Sequence, residues 1–149
     1  MSSDPETTEM RQERMGLIAR ARPERLAALM PDLAPHDWLR APEVGAVMVR
    51  GRIGAAGGAF NLGEMTVTRC ALRLADGSVG HGYVQGRDKA HATRAALIDA
   101  LMQGPRAARI AAEVLAPLRA EEAARRSARA EKAAATKVEF FTMVRGEDA

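Results

Sequence analysis

The stretch MTVTRCALRLADGSVGHGYVQGRDKAHATRAALIDALMQ, residues 65–103, decides the fold. Residues 65–74 form a run rich in β-branched and aliphatic side chains that reads as a strand. Asp76-Gly77 is a strong two-residue hairpin signal, and residues 79–84 read as the strand returning antiparallel to the first. The period then changes. From Gly86 to Gln103 the residues Ala90, Leu97, Ile98, Leu101 and Met102 recur at helical spacing, which leaves Arg87, Lys89, Arg94 and Asp99 to the other faces. Gly104-Pro105 stops that helix.

Upstream, residues 47–53 alternate: Val47, Val49 and Ile53 share one face while Arg50 and Arg52 end the other, as in a strand with one wet side. Gly51, Gly54, Gly57, Gly58 and Gly63 mark a long flexible connection to the next strand. Met10, Met15, Leu17, Ile18 and Ala21, then Leu26, Leu29 and Met30, predict helix over 9–30, broken or kinked at Pro23. Pro31 and Pro35 close it, and residues 1–8 read as a flexible tail. Downstream, a helix over 107–115 precedes an alanine-rich charged helix over 118–135, where Glu121/Arg125 and Glu122/Arg126 are spaced to pair. Residues 138–144 read as a terminal strand. The expectation is one α+β domain over 1–149: a small antiparallel sheet, made of a meander plus the C-terminal strand, packed with N-terminal, central and C-terminal helices.

Composition bounds the function. The 149 residues are 47% hydrophobic and 28% charged but only 3% aromatic, so aliphatic side chains and eight methionines must fill the core. A net charge of +3 is too small, and too mixed with acids, to indicate nucleic acid by itself. The lone Cys70 forms no internal disulfide and no thiolate metal cluster. No apolar run approaches the roughly 20 residues that span a bilayer, and residues 1–13 are too polar for a secretory signal, so the reading is cytoplasmic with no membrane partner.

The three histidines are scattered, no serine sits in a nucleophile elbow, and the glycine run at 51–58 lacks the Gly-Lys-Ser/Thr of a phosphate loop. The informative turn is Gln85, Gly86, Arg87, Asp88, Lys89 and His91, where a strand ends and a helix begins. Free amides and the helix dipole favour an anion there, and Arg87, Lys89 and His91 add positive charge; Asp88 counts against a simple anion pocket and suits a helix cap. A capped, solvated turn and a ligand or interface site are both open on this evidence. Phe140, Phe141, Met143 and Arg145 belong either to a strand buried in this domain or to an edge taken up by another chain.

Two segments, VQGRDKAHATRAALIDALMQ at 84–103 and KVEFFTMVRG at 137–146, resemble the PhnG family of phosphonate-metabolism proteins. The hairpin at 68–80 and the residues around 40–43 are similar too, so the resemblance covers most of the chain and weakens over 1–12 and the alanine-rich helix. It implies the G subunit of the carbon–phosphorus lyase core complex, with PhnI, PhnH and PhnJ as partners and PhnL and PhnK associated. In such systems the G, H and I subunits act with L to join an alkylphosphonate to C1′ of the ATP ribose with loss of adenine. The product is a ribose 1-alkylphosphonate 5-triphosphate. The J subunit later breaks the C–P bond with an iron–sulfur cluster and S-adenosylmethionine. The resemblance carries over no catalytic residue, no metal and no cofactor for this chain. It implies an accessory role in which 85–91 lies near a subunit junction or a phosphate-rich ligand, and in which the alanine-rich helix and Phe140, Phe141, Met143 and Arg145 meet the I subunit. The competing readings are a stand-alone phosphate-ligand protein using Arg87, Lys89 and His91, and a basic nucleic-acid binder using 119–137, which lacks a row of stacking aromatics.

Overall fold

The computed structural model describes residues 5–54 and 57–147, with side chains as far as 137. Helix α1 (Thr8–Arg20) is capped by the Thr7 hydroxyl, which accepts from the Met10 amide at 3.2 Å. Pro23 opens α2 (Pro23–Leu29), so the expected break falls between two helices. Strands β1 (His36–Arg52), β2 (Ala59–Leu74) and β3 (Val79–Gln85) follow in an antiparallel sheet of order β1-β2-β3. Then come α3 (Lys89–Leu101), a short α4 (Ala107–Ile110), a π turn (Ala111–Leu115) and α5 (Ala116–Glu147).

The α+β class and the meander are as expected; several boundaries are not. The hairpin at 74–79 carries Gly77 at φ +90°, and the Asp76 carboxylate accepts the Ser78 amide at 2.9 Å. The glycine-rich connection is much shorter than its composition predicts. β1 runs to Arg52 and β2 starts at Ala59, so Gly51 pairs with Phe60 and Gly63 lies inside β2. Leu62 is the extra residue of a bulge at Val49/Arg50, which lets the ladder absorb the glycines. The tail shortens as well: Glu6 is tied to Arg14 and Thr8 is already helical, while residues 1–4 lie outside the described residues.

The predicted C-terminal strand is not there. α5 continues through Glu147. Residues 138–144 carry β-forming side chains, but they follow an alanine-, glutamate- and arginine-rich helix that is already formed. Extending a helix gains a hydrogen bond for each residue fixed, whereas a strand needs a neighbour to pair with. The surface pairs expected within α5 are replaced by longer links: Arg25 donates to Glu121 at 2.6 Å and Arg20 to Glu122 at 2.8 Å. These pin the start of α5 to α1 and α2.

α3 covers one face of the sheet at unusually close range. Leu72, Cys70, Thr68 and Val84 are buried beneath it, opposite Ala92, Ala96 and Ala100. A Cβ on Gly80 would stand 1.9 Å from the Ala96 carbonyl oxygen, and one on Gly82 would stand 2.1 Å from that of Ala92. Only glycine permits this approach. α3 also reaches back to the N-terminal helices. The buried His91 ring shares a 2.9 Å hydrogen bond with the Ile18 carbonyl, and Arg94 Nε donates to the Met30 carbonyl at 3.0 Å. Both bonds close helix ends, the Ile18 carbonyl taking the Ala21 amide at 3.2 Å as well.

Asp99, expected on an outward face, is fully buried. Its Oδ1 accepts from Arg11 Nε at 2.9 Å and Arg14 Nη1 at 3.1 Å; its Oδ2 accepts from Arg11 Nη2 at 2.7 Å and the His81 amide at 2.8 Å. Arg14 is itself buried and grips Glu6 with its remaining donors at 2.8 and 2.6 Å. Burial alone would push the Asp99 carboxyl up. The Arg11 hydrogen bond, the His81 amide and the two guanidinium charges outweigh it and hold the group below the ordinary value of 3.8.

Two outcomes follow for stability. Gly80→Ala must push α3 off the sheet, and denaturant melts will show a loss of about 3 kcal/mol. Asp99→Asn leaves two guanidinium groups facing a neutral amide, one of them buried. That costs about 3 kcal/mol, or a fall in Tm of about 6–12 °C for a chain this size. Because the folded Asp99 value is depressed, its contribution is complete above the ordinary carboxylate range and is lost as the pH falls through the lowered value. Wild type will therefore lose stability steeply below about pH 4, and Asp99→Asn will show a shallower acid slope.

Candidate functional site

Of the turn that sequence singled out, Gln85, Gly86 and His91 come together and Arg87, Asp88 and Lys89 do not join them. Gly86 ends β3 at φ +91°, donates its amide to the Thr66 carbonyl at 2.8 Å and accepts from the Thr68 hydroxyl at 2.7 Å. The turn is thereby fixed to β2. Gln85, Gly86 and the edge of His91 line a groove of about 590 Å³ between the sheet and the α1–α2 corner, with Arg20, Met65 and Tyr83 on its other walls. Arg20 is committed to Glu122, so the groove offers the Gln85 amide and the Tyr83 hydroxyl over an apolar floor.

Asp88 is the N-cap of α3. Its Oδ1 accepts the His91 amide at 2.9 Å, so one of the amides expected to face an anion is already satisfied by a carboxylate. Arg87 and Lys89 are exposed beside it and form no ion pair among the described residues. The capped, solvated turn is thus the local structure, with two free cations on its outside. His91 is not on that surface, because its ring faces the α1 carbonyl.

The remaining reactive side chains are dispersed. The His36 ring is hydrogen-bonded to the Ala34 carbonyl at 2.8 Å and meets Trp38 edge-on at 4.8 Å; His81 is exposed and contributes its backbone to Asp99. Cys70 lies under α3 with its Sγ 3.2 Å from the Ala92 carbonyl, and burial pushes the thiol up to about 11. Among the described residues no group of three or more metal-type ligands forms, and no helix is long and apolar enough to cross a membrane. The arrangement can bind and position; among the described residues it brings no nucleophile against a base.

The second candidate surface is α5. Leu118 is buried and Glu121 and Glu122 are half-buried against α1 and α2, but residues 127–137 are exposed without interruption. Phe140, Phe141, Met143 and Arg145 lie further along the same helix, and their side chains are outside the described residues. Sequence reading missed a third surface, the exposed Phe60 and Leu62 side chains on the distal part of β2, on the face where Leu62 stands over Gly51 of β1. The alternation of 47–53 was visible, but the glycines hid the continuing ladder. As a check on the core, Cys70 will react with a thiol reagent only as fast as the chain unfolds. Rapid modification of native protein, read by absorbance, would contradict its placement.

Comparison with known proteins agrees with the resemblance of the two long segments. The sequence model of the family described as "Phosphonate metabolism protein PhnG" matches residues 9–146. A relative from Rhizobium meliloti (strain 1021), named "Alpha-D-ribose 1-methylphosphonate 5-triphosphate synthase subunit PhnG", is 48% identical over 158 aligned positions. The match covers 99% of this chain and 96% of the relative.

Proposed function

The chain belongs to the PhnG family, and from that premise we propose that it is an accessory subunit of a ribose 1-methylphosphonate 5-triphosphate synthase in organic phosphonate catabolism. The observation that carries this reading is the near full-length likeness to a protein named as that subunit. Its partners are the I, H and J subunits, with L and K associated, in the cytoplasm. ATP enters as a substrate of the assembled synthase, no cofactor belongs to this chain, and the iron–sulfur cluster and S-adenosylmethionine belong to J.

The physical support lies in what the chain offers. Among the described residues its reactive side chains are either buried in packing roles or dispersed, while α5, beyond its buried Leu118, exposes residues 127–137 that the core does not use. Such a helix, rich in alanine at 120–135, forms readily by propensity but buries little apolar area on its own fold, and gains more by lying in a partner's groove. The role of α5 and of Phe140, Phe141, Met143 and Arg145 is to hold the I subunit. Arg87 and Lys89 sit at a junction, facing either an acidic partner or the phosphates of the ligand.

The test is reconstitution from purified subunits with ATP and methylphosphonate, following adenine by chromatography. The complete G, H, I and L set will release adenine, omission of this chain will abolish release, and this chain alone will release none. A chain ending at Arg126 will keep its Tm within a few degrees but will not co-purify with the I subunit. Arg87→Ala/Lys89→Ala will keep Tm and lower turnover. Turnover by the isolated chain, or full activity without it, would overturn the reading.

A further inference from the structure

The sheet has a third lane that is only partly occupied. β3 pairs with residues 67–73 of β2 and then turns away at Gly86, while β2 and β1 continue together as a bare ribbon, 59–66 against 46–52. The ribbon extends about 20 Å past β3 at the usual rise per residue. We propose that an extended segment of another subunit adds to the β2 edge along 59–65, completing the lane that β3 leaves. This rests on the accessory-subunit reading and specifies where a partner docks.

Several independent features point there. A two-stranded ribbon is marginal in water without a third strand or a packed face. This one displays Phe60 at 40% exposure and Leu62 at 61% on one face, and Met48 at 51% on the other. Exposed edges are normally blunted by proline, charge or bulges. The chain does this on the outer edge of β1, where Pro42 and register shifts between Trp38 and Glu43 interrupt the ladder. The β2 edge is less protected: it has no proline, a single charge at Glu64 and a single bulge at Leu62 in 59–66, and the Thr66 carbonyl is the point at which the Gly86 amide closes the filled part.

Charge sets the chemistry of the incoming strand. Arg50 and Arg52 form no ion pair among the described residues and stand opposite Asn61 and Ala59. The next lane lies about 10 Å from them, two strand spacings away, a gap that an arginine and a carboxylate side chain bridge together. The strand that fits is alternately apolar, to cover Phe60 and Leu62, with acidic residues near its end beside Ala59.

Hydrogen exchange on the full chain, free and in the complex co-purified with the H, I and J subunits, reads the lane directly. The amides along 59–65 that face it exchange quickly in the free chain and are slowed roughly tenfold or more in the complex. Phe60→Glu/Leu62→Glu, both at exposed positions, keeps the wild-type circular dichroism of the free chain and lowers subunit capture roughly tenfold or more. Arg50→Glu/Arg52→Glu weakens capture more at low salt than at high salt. Three results overturn the proposal: unprotected 59–65 amides in an intact complex, normal capture by both double variants, or a free chain that is already a dimer with these amides protected, which would make the occupant a second copy. A wild-type chain that never associates with the other subunits would instead defeat the accessory-subunit reading itself.

Discussion

A buried carboxylate with four donors holds three elements of this fold in one arrangement. Asp99 belongs to α3, its guanidinium partners Arg11 and Arg14 to α1, and its amide partner His81 to β3. Buried charges of this kind stabilise only when every lone pair is used. Here each oxygen takes two hydrogen bonds, and Arg14 turns its remaining donors to Glu6. The position of α1 is therefore set to within a hydrogen-bond length. The α1–α2 corner that walls the groove beside Gln85 and Gly86 inherits that precision.

The same helix that supplies the carboxylate rests on backbone rather than side chains. With Gly80 and Gly82 beneath Ala92 and Ala96, α3 lies so near β3 that the small residues leave little apolar area between them. The compensation comes from its flanks, where Leu97, Ile98 and Leu101 bury large side chains and where His91 and Arg94 close the ends of α1 and α2. α3 is the hub: sheet below, N-terminal helices beside it, and α5 tied in through Arg20 and Arg25.

Much of this was legible because local signals agreed with tertiary context. Asp76-Gly77 between two apolar runs, Pro23 inside a helical period, and Leu97, Ile98 and Leu101 at helical spacing all mean one thing whatever surrounds them. Asp99 was misread because nothing local distinguishes a buried aspartate from a solvated one; its partners lie 85 and 88 residues away. The C-terminal strand failed for a related reason, since the helix that overrides 138–144 is nucleated upstream of the window being read. At the candidate site, the cap role of Asp88 follows from its place before the helix, but the inward turn of His91 depends on the Ile18 carbonyl, which no spacing reveals.

The span between Arg11 and Asp99 also sets an order of events as the polypeptide emerges from the ribosome. Strands β1 to β3 and α3 are consecutive, so each finds its neighbour soon after it is made. α1 is made first yet lacks its buried carboxylate partner until Asp99 has cleared the exit tunnel. At about 5–20 residues per second, that leaves several seconds between the synthesis of the first helix and that of the carboxylate its arginines grip.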